Sequence, residues 1–190
     1  MSIEEPTFST TIEDGAFEVR EYPALLAAEV TVTGDRDTAA KDGFRQLTGY
    51  IFGANTTKES IAMTAPVVQT RAPDEAAAKS TAIVQHERDD VWTIRFMMPR
   101  AYSLETLPTP NNPSIRLKSL PPARFAVAKF SGPARAPELA KRLTELRAFA
   151  AVHRLHADGP SSLARYDSPG TLWFMRRNEV LIPLQADAVH

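Results

Sequence analysis

The chain has 190 residues, of which 43% are hydrophobic and 24% charged, with a formal net charge of −1 and no cysteine. Without cysteine, disulfides, thiolate nucleophiles, cysteine-ligated zinc, iron–sulfur clusters and covalent haem attachment are excluded. The near-neutral charge argues against nucleic acid as the main partner, and no stretch approaches the roughly 20 apolar residues of a membrane-spanning helix.

Short alternating or apolar runs predict four strands in the first half of the chain, at residues 17–22, 25–32, 61–70 and 92–98. In the first run the side chains alternate, so Phe17 and Val19 would lie on one face and the charged residues between them on the other. Pro66 lies inside the third run and predicts an edge strand or a bulge there, because proline cannot donate to a sheet ladder.

The segment after Asp35 has helical rather than strand periodicity. Its apolar residues are spaced i, i+4, i+7 and i+11, at Ala40, Phe44, Leu47 and Ile51. This spacing predicts an amphipathic helix near residues 37–52. Gly53 follows at the position where a glycine in the left-handed conformation commonly ends a helix.

The second half repeats this order of elements. Apolar runs predict strands at residues 115–120, 124–130 and 172–184. The helical spacing recurs near residues 136–151, at Leu139, Leu143, Leu146 and Ala150. Pro137 lies in the first turn of this helix, where proline is tolerated. Pro121 and Pro122 follow the first strand of this half, as Pro23 does in the first half.

Each half therefore reads strand–strand–helix–strand–strand, with half-repeats at about residues 17–99 and 114–184 of one domain that spans residues 1–190. We predict an α+β fold in which this pseudo-twofold repeat forms a distorted, mostly antiparallel β-barrel or curved sheet with two flanking helices. About eight strands are expected. Two helices on one curved sheet leave a cleft between the halves, which is a common place for a ligand.

Residues 71–91 are rich in alanine and charge, and we expect a loop or a partly formed hairpin through residues 82–85. The tail after Leu184 is expected to fray. The polar, acidic N-terminal sequence does not resemble a signal peptide, which predicts a cytoplasmic protein.

Charge differs between the two parts of the chain. Residues 1–100 carry 10 Lys and Arg against 16 Asp and Glu, whereas residues 101–190 carry 12 against 7. This imbalance is typical of two solvated faces of opposite sign. It is also compatible with a cleft whose basic wall prefers an anionic ligand.

Motifs of known catalytic mechanism are missing from the sequence, which has no G-x-S-x-G, Walker, G-x-G-x-x-G or H-E-x-x-H motif. We therefore predict a binding protein without catalytic residues. His153 and His156 are spaced i, i+3 near the end of a predicted helix, which favours a polar helix terminus over a metal site. His86 lies in a charged turn and His190 is the last residue, so no metal ligand is assigned. The methionines are expected to fill the core or an adaptable pocket.

The four polar residues 176–179 (RRNE) interrupt an otherwise apolar strand. Either they mark a bulge with Arg–Glu pairing across the sheet, or an arginine among them recognises an anion. An alternative to a binding protein is an enzyme that acts on a bound ligand, in which a buried carboxylate such as Glu29 or Glu179 serves as a general base. This requires burial to raise the pKa of the carboxylate.

Seven short motifs occur in order along the chain: FEVREYP, GF-x-x-L-x-x-YI-x-GAN, IAMTAPV, W-x-I-R-F-x-MP, LP-x-P-x-N, FSG and RRNEV. Together they resemble the SOUL/haem-binding protein family over residues 17–184. The resemblance implies a pseudo-symmetric, distorted barrel that binds haem or related porphyrins non-covalently in a shallow apolar cleft beside the first helix. The fold is also similar to bacterial effector-binding domains, which hold hydrophobic, often cationic, small molecules between their halves.

The resemblance assigns the ligand contacts to the first helix. Lys41 matches a basic residue that meets the haem propionates, Arg45 lies on the same helix, and Gly49 replaces a second basic residue of the pattern. The apolar face that would bury the ring consists of Phe44, Leu47, Tyr50 and Ile51. Some members have a histidine near the start of the second strand, where this chain has Pro23, so no iron ligand is assigned.

These features predict a carrier or buffer of haem or a related tetrapyrrole, held mainly through the ring. Binding is expected to be modest in affinity and to discriminate little between haem and a metal-free porphyrin. The alternative is a general hydrophobic small-molecule binding or sensing domain. The sequence assigns no oligomeric state.

Overall fold

A computed structural model describes residues 3–72, 90–167 and 171–185 of the chain. Within them, nine antiparallel strands form one sheet and two helices pack on it. The strands are β1 (Ser9–Asp14), β2 (Phe17–Tyr22), β3 (Leu25–Thr33), β4 (Val67–Arg71), β5 (Val91–Met97), β6 (Arg116–Leu120), β7 (Ala123–Ser131), β8 (Ser162–Arg165) and β9 (Arg177–Leu184). The helices are α1 (Arg36–Ile51) and α2 (Ala136–Val152), and neither is long and apolar enough to cross a membrane.

The predicted α+β class, with a curved antiparallel sheet and two flanking helices, is confirmed, whereas the sequence patterns do not predict β1 or β8. The edge position expected for the strand that contains Pro66 is wrong, because β4 lies at the centre of the sheet between β8 and β5. Pro66 directly precedes β4, so its missing N–H removes no ladder bond.

The hairpin expected at residues 82–85 and the end of the C-terminal tail lie outside the described residues.

Two short links force the sheet to curl. The strand order is β1-β2-β7-β9-β8-β4-β5-β3-β6, so five strands separate β2 from β3, and five separate β6 from β7. In a flat sheet these strands would be roughly 29 Å apart, at about 4.8 Å per step. Each pair is joined by only two residues, and such a link spans at most about 11 Å. The sheet must therefore bend until the ends of these strands meet, at Pro23 in one link and at Pro121 and Pro122 in the other.

The curl gives the sheet an outer face, which the helices cover, and an inner face, which no described helix covers. Side chains on the inner face are nevertheless buried, since Ala27, Val127 and Ala164 each expose 1% or less. Alternate residues of a strand point to opposite faces. β3 and β7 are therefore buried on both faces and read as apolar runs rather than as alternating patterns.

Each helix covers one half of the outer face. The buried side chains beneath α1 form a core cluster that includes Leu47 and Ile94, and those beneath α2 form another that includes Leu146 and Ile182. α1 comes closest to β5 at Gly43, where an added Cβ would lie 2.3 Å from Ile94 Cγ1. Glycine is needed at this position for space.

Three charged side chains, from β3, β5 and β6, meet on the inner face of the sheet. Arg95 Nε and Nη2 both donate to Glu29 Oε2, at 3.1 and 2.6 Å, and Lys118 pairs with Oε1 of the same carboxylate. Burial opposes the ionisation of Glu29, but the hydrogen bonds from Lys118 and Arg95 outweigh it and hold its pKa below the ordinary value of 4.5. Glu29 is therefore ionised and doubly paired at neutral pH.

A second charged cluster surrounds Glu179, which is fully buried on β9. Arg20 of β2 donates to both carboxylate oxygens, at 2.8 and 3.0 Å, and the Tyr166 hydroxyl donates to Oε2 at 2.7 Å. Burial opposes the charge on Arg20, but its bonds to Glu179 outweigh this and raise the pKa of the guanidinium. The cluster ties β2 to β9 across the intervening β7.

Replacing Gly43 with alanine tests the close approach of α1 to β5. Gly43→Ala forces the added methyl group against Ile94, and we expect it to lower the free energy of unfolding by roughly 1–3 kcal/mol, as overpacking does in other cores. Gly49→Ala is the matched control on the same helix, because nothing lies within 4 Å of its added Cβ. Alanine there should stabilise the helix by up to about 1 kcal/mol. Urea denaturation measures the free energy of unfolding of both variants. Equal stability of the two would contradict the close contact between Gly43 and Ile94.

The pH dependence of stability tests the Glu29 cluster. A carboxylate whose folded-state pKa is lowered stabilises the fold above its unfolded-state pKa of 4.5, and that stabilisation is lost as pH falls through the folded-state value. Glu29→Gln should therefore be less stable at pH 7 and show a shallower loss of stability on acidification than the parent chain. The control is Glu13→Gln, at an exposed position of β1. A parental slope for Glu29→Gln in acid denaturation would show that Glu29 is not held ionised by its partners.

Candidate ligand-binding cleft

A cleft of about 350 Å³ lies on the outer face between α1 and the second half of the chain. Both halves contribute to its lining, which consists of Asp37, Ala40, Lys41, Phe44, Val67, Gln69, Ile94, Gly132, Ala134, Arg165, Asp167, Arg176, Arg177 and Asn178. The structure thus has a cleft beside the first helix, where the sequence predicts one. We refer to it as the outer cleft.

One wall of the outer cleft is apolar. Ala40 and Phe44 project from α1, while Val67 and Ile94 come from the adjacent β4 and β5. The ring of Phe44 is only partly buried and packs edge-on against Phe96, with ring centroids 5.6 Å apart. This contact fixes the ring orientation while leaving part of its surface to the cleft.

The start of α1 places Lys41 and Phe44 at the outer cleft. Asp35 caps the N-terminus of α1, and its side chain accepts hydrogen bonds from the backbone N–H groups of Asp37 and Thr38, both at 3.0 Å. The hydrogen bonds from Thr38, followed by that from Asp37, hold the pKa of Asp35 below its ordinary value. Asp35 therefore stays ionised as an N-cap and fixes the register of the first turns.

Arg165, at the end of β8, is the principal cation of the opposite wall. Its Nη1 donates to the side-chain oxygen of Gln69 at 3.0 Å, and its closest carboxylate, on Asp37, is 4.0 Å from Nη2. Burial, together with the nearby Arg36, lowers the pKa of Arg165 against the opposing effect of Asp37. A desolvated guanidinium bonded to a neutral amide attracts an anion more strongly than one already paired with a carboxylate.

The polar segment at residues 176–179 lies partly in this wall and partly in the interior. Arg177 stacks on the ring of Tyr166 at 3.6 Å and pairs with Glu5 at 2.9 Å. Its Nε is 3.6 Å from Glu179, so the predicted Arg–Glu pairing is present, although Arg20 is the main partner of that carboxylate. Both Arg176 and Arg177 also line the outer cleft.

The structure separates the cationic residues predicted on α1. Lys41 lines the outer cleft with Phe44. The side chain of Arg45 is 81% exposed, pairs with Asp42 at 2.5 Å and does not line the outer cleft. An ammonium on a flexible stem, rather than a fixed guanidinium, is therefore the cation that α1 presents to the cleft.

The apolar face predicted on α1 is also divided between the outer cleft and the core. Phe44 lines the outer cleft, whereas Leu47, Tyr50 and Ile51 expose 1% or less and are part of the core. The Tyr50 hydroxyl donates to the carbonyl of Pro108 at 2.9 Å, and burial raises the pKa of Tyr50 to about 12. The buried side of α1 includes Gly43 and Leu47. Because Gly43 has no side chain, the helix backbone can pack tightly against Ile94 of the sheet. Ligand contact by Leu47, Tyr50 or Ile51 stays a prediction that would require them to leave the core.

Sequence patterns miss Arg165 and Gln69 as lining residues. Arg165 ends a strand of only four residues, which is too short to show an alternating pattern. Gln69 lies in a predicted strand, but its burial to 2% exposure depends on the neighbouring β8 and on its bond to the backbone of Arg36. Neither position carries a local signal of its role.

Among the described residues, no histidine or methionine lines the outer cleft. No group of three or more His, Asp or Glu side chains in the described part of the chain could hold a metal ion. The ring of His153 packs against that of Phe149 at a tilt of 54°, with ring centroids 4.6 Å apart, and His156 is exposed beyond α2. The other two histidines lie outside the described residues. The described lining therefore combines an apolar wall with cationic side chains and contributes no histidine or methionine ligand for iron.

The condition for a catalytic carboxylate is not met at Glu29. Burial raises the pKa of Glu29, but the hydrogen bonds from Lys118 and Arg95 outweigh this effect and leave the pKa below its ordinary value. At Glu179, both carboxylate oxygens already accept hydrogen bonds from Arg20 or Tyr166, and the side chain is sealed from solvent. A general base must reach a substrate proton, and Glu179 has no route to one.

Comparison with known structures shows the same fold in proteins of low sequence identity. A hydrolase from Listeria innocua is 13% identical with a TM-score of 0.64, and the alignment covers 89% of this chain and 91% of the other. The C-terminal domain of EcmrR is 11% identical with a TM-score of 0.63, over 89% of this chain and 96% of that one. These similarities show the shared architecture alone.

Sequence comparison is more specific. Heme-binding protein 2 of Mus musculus is 33% identical over 72 residues, which are 37% of this chain and 35% of the mouse protein. The chain therefore aligns with about a third of that relative. The sequence model of the SOUL heme-binding protein family matches residues 3–183, which is nearly the whole chain. The resemblance drawn from the seven motifs is thus confirmed, and the chain belongs to the SOUL heme-binding protein family.

Proposed function

We propose that the protein binds haem or a related tetrapyrrole non-covalently in the outer cleft and serves as a carrier or buffer of that ligand. The observation that carries the proposal is the combination of an apolar wall with Arg165, which no described carboxylate approaches within hydrogen-bond distance. Family membership and the partial similarity to a heme-binding protein of mouse support it.

The apolar wall suits one face of a tetrapyrrole ring. Phe44 and Val67, which are both partly exposed, present an aromatic and a branched side chain, and burial of a flat apolar surface contributes about 25 cal/mol per Å². The cleft volume of about 350 Å³ is near the lower end of the roughly 300–1,000 Å³ typical of small-molecule sites. A tetrapyrrole would therefore lie partly exposed, which favours reversible binding over permanent retention.

The cations on the opposite side suit the ring carboxylates. Arg165 can make two parallel hydrogen bonds to a carboxylate, while Lys41 adds an exposed point charge from α1. An anion next to Arg165 would offset the burial that lowers its pKa. In this account Arg165 orients the ligand and Lys41 attracts it.

The absence of a histidine or methionine among the described lining residues predicts that the ring, not the iron, is recognised. Haem would then bind as a porphyrin disc with two carboxylates. We expect haemin and protoporphyrin IX to have dissociation constants within about threefold of each other. Titrations followed by Soret absorbance and by quenching of protein fluorescence measure both. A preference for haemin greater than tenfold, which corresponds to about 1.4 kcal/mol, would show that the protein ligates the iron.

Removal of the Arg165 charge tests the role of the outer cleft. Arg165→Gln should weaken protoporphyrin binding by about tenfold, because a hydrogen bond to a charged group is worth roughly 1.5–3 kcal/mol. The matched control is Arg45→Gln, which removes an equal charge from the exposed side of α1. Thermal melting of each variant establishes that it is folded. Loss of affinity in Arg45→Gln but not in Arg165→Gln would place the carboxylates on the exposed face of the helix instead.

A further inference from the structure

A second pocket, of about 230 Å³, lies on the inner face of the sheet. It shares no lining residue with the outer cleft, because the sheet separates the two. We refer to it as the inner pocket. Its volume is below the roughly 300 Å³ at which drug-sized sites begin, so it suits a ligand smaller than a tetrapyrrole.

The inner pocket exists because the sheet curls. Side chains from eight strands, β2 to β9, line it, together with Pro6, Pro23 and Pro121. Most of the lining is apolar, including Leu25, Val68, Met97, Phe125, Ala164 and Leu181. Strands that are distant in the sheet order therefore meet around one apolar space between the two halves.

The carboxylates nearest the inner pocket are neutralised. Glu29 pairs with Arg95 and Lys118, and Glu179 accepts hydrogen bonds from Arg20 and Tyr166. Neither carboxylate lines the pocket. A cationic ligand would lose its hydration without meeting an acidic side chain in the lining, which makes its burial unfavourable.

Arg95, by contrast, lines the inner pocket. It uses Nε and Nη2 on a single oxygen of Glu29, because Lys118 pairs with the other oxygen. No described residue accepts a hydrogen bond from Arg95 Nη1. The pocket therefore offers an unused guanidinium donor beside an apolar space.

We propose that the inner pocket is a second binding site, which takes a small apolar or aromatic molecule carrying a carboxylate and rejects the corresponding cation. The apolar part fills the space between the halves, and the carboxylate accepts a hydrogen bond from Arg95. The proposal is independent of tetrapyrrole binding, since the two sites share no residue.

Three ligands of one shape and different charge test the proposal: 4-phenylbutyrate, 4-phenylbutanol and 4-phenylbutylammonium. Isothermal titration calorimetry at pH 7 with the full chain is expected to rank them in that order. The carboxylate should bind at least about tenfold more tightly than the ammonium, since a charge-assisted hydrogen bond is roughly twice as strong as a neutral one. Equal or tighter binding of the ammonium, or no binding of any of the three at millimolar concentration, overturns the proposal.

Variants of the charged cluster test the role of Arg95. Arg95→Gln should remove the preference for the carboxylate, while Glu29→Gln should strengthen it because both bound donors of Arg95 are released. The control is Arg116→Gln, which removes a charge from an exposed position of β6 that does not line the pocket. An unchanged carboxylate preference in both cluster variants contradicts the assigned contact.

Variants of the pocket lining test the location. Ala123→Trp is expected to fill the inner pocket and abolish phenylbutyrate binding, whereas Ala123→Ser leaves the space open and should bind as the parent chain does. Thermal melting of both variants establishes that they are folded, so that the control does not depend on tetrapyrrole binding. Retained phenylbutyrate binding in Ala123→Trp would place the ligand elsewhere and refute the site.

Discussion

Two links of two residues each determine the shape of this protein. One joins β2 to β3 and the other joins β6 to β7, and in each case five other strands lie between the two in the sheet. The links contain prolines, whose restricted φ reduces the freedom of the connecting segments. Because neither link can span a flat sheet, the sheet curls and acquires an inner face that is buried without any helix. The arrangement of charge, core and cavities follows from this closure.

A face buried in this way tolerates charged side chains only when they are paired. Glu29 meets this condition through Arg95 and Lys118 on the two strands that flank β3, and Glu179 does so through Arg20 of β2, which reaches it across β7. The same closure leaves the apolar inner pocket between the halves. On the outer face the helices cover the sheet incompletely, and the outer cleft remains beside α1. One sheet thus carries two cavities of different size, one on each face.

Sequence periodicity predicted the helices and the principal strands because their apolar residues are regularly spaced. It failed where burial depends on tertiary contact. Gly43 has no side chain to contribute to an apolar stripe, yet it marks the closest contact of α1 with the sheet. Periodicity therefore favoured Phe44 as part of the buried stripe, although this ring is partly available to a ligand. Arg165 escaped prediction since its short strand carries no pattern.

The central claim is that a tetrapyrrole lies in the outer cleft and is recognised through its ring and carboxylates. Titration of ¹⁵N-labelled protein with diamagnetic protoporphyrin IX, followed by two-dimensional NMR, tests it most directly. The account predicts that chemical-shift changes concentrate at residues 37–44, 165–167 and 176–178. Changes centred on Tyr22, Met97 and Phe125 of the inner pocket, or spread evenly over the surface, would contradict it.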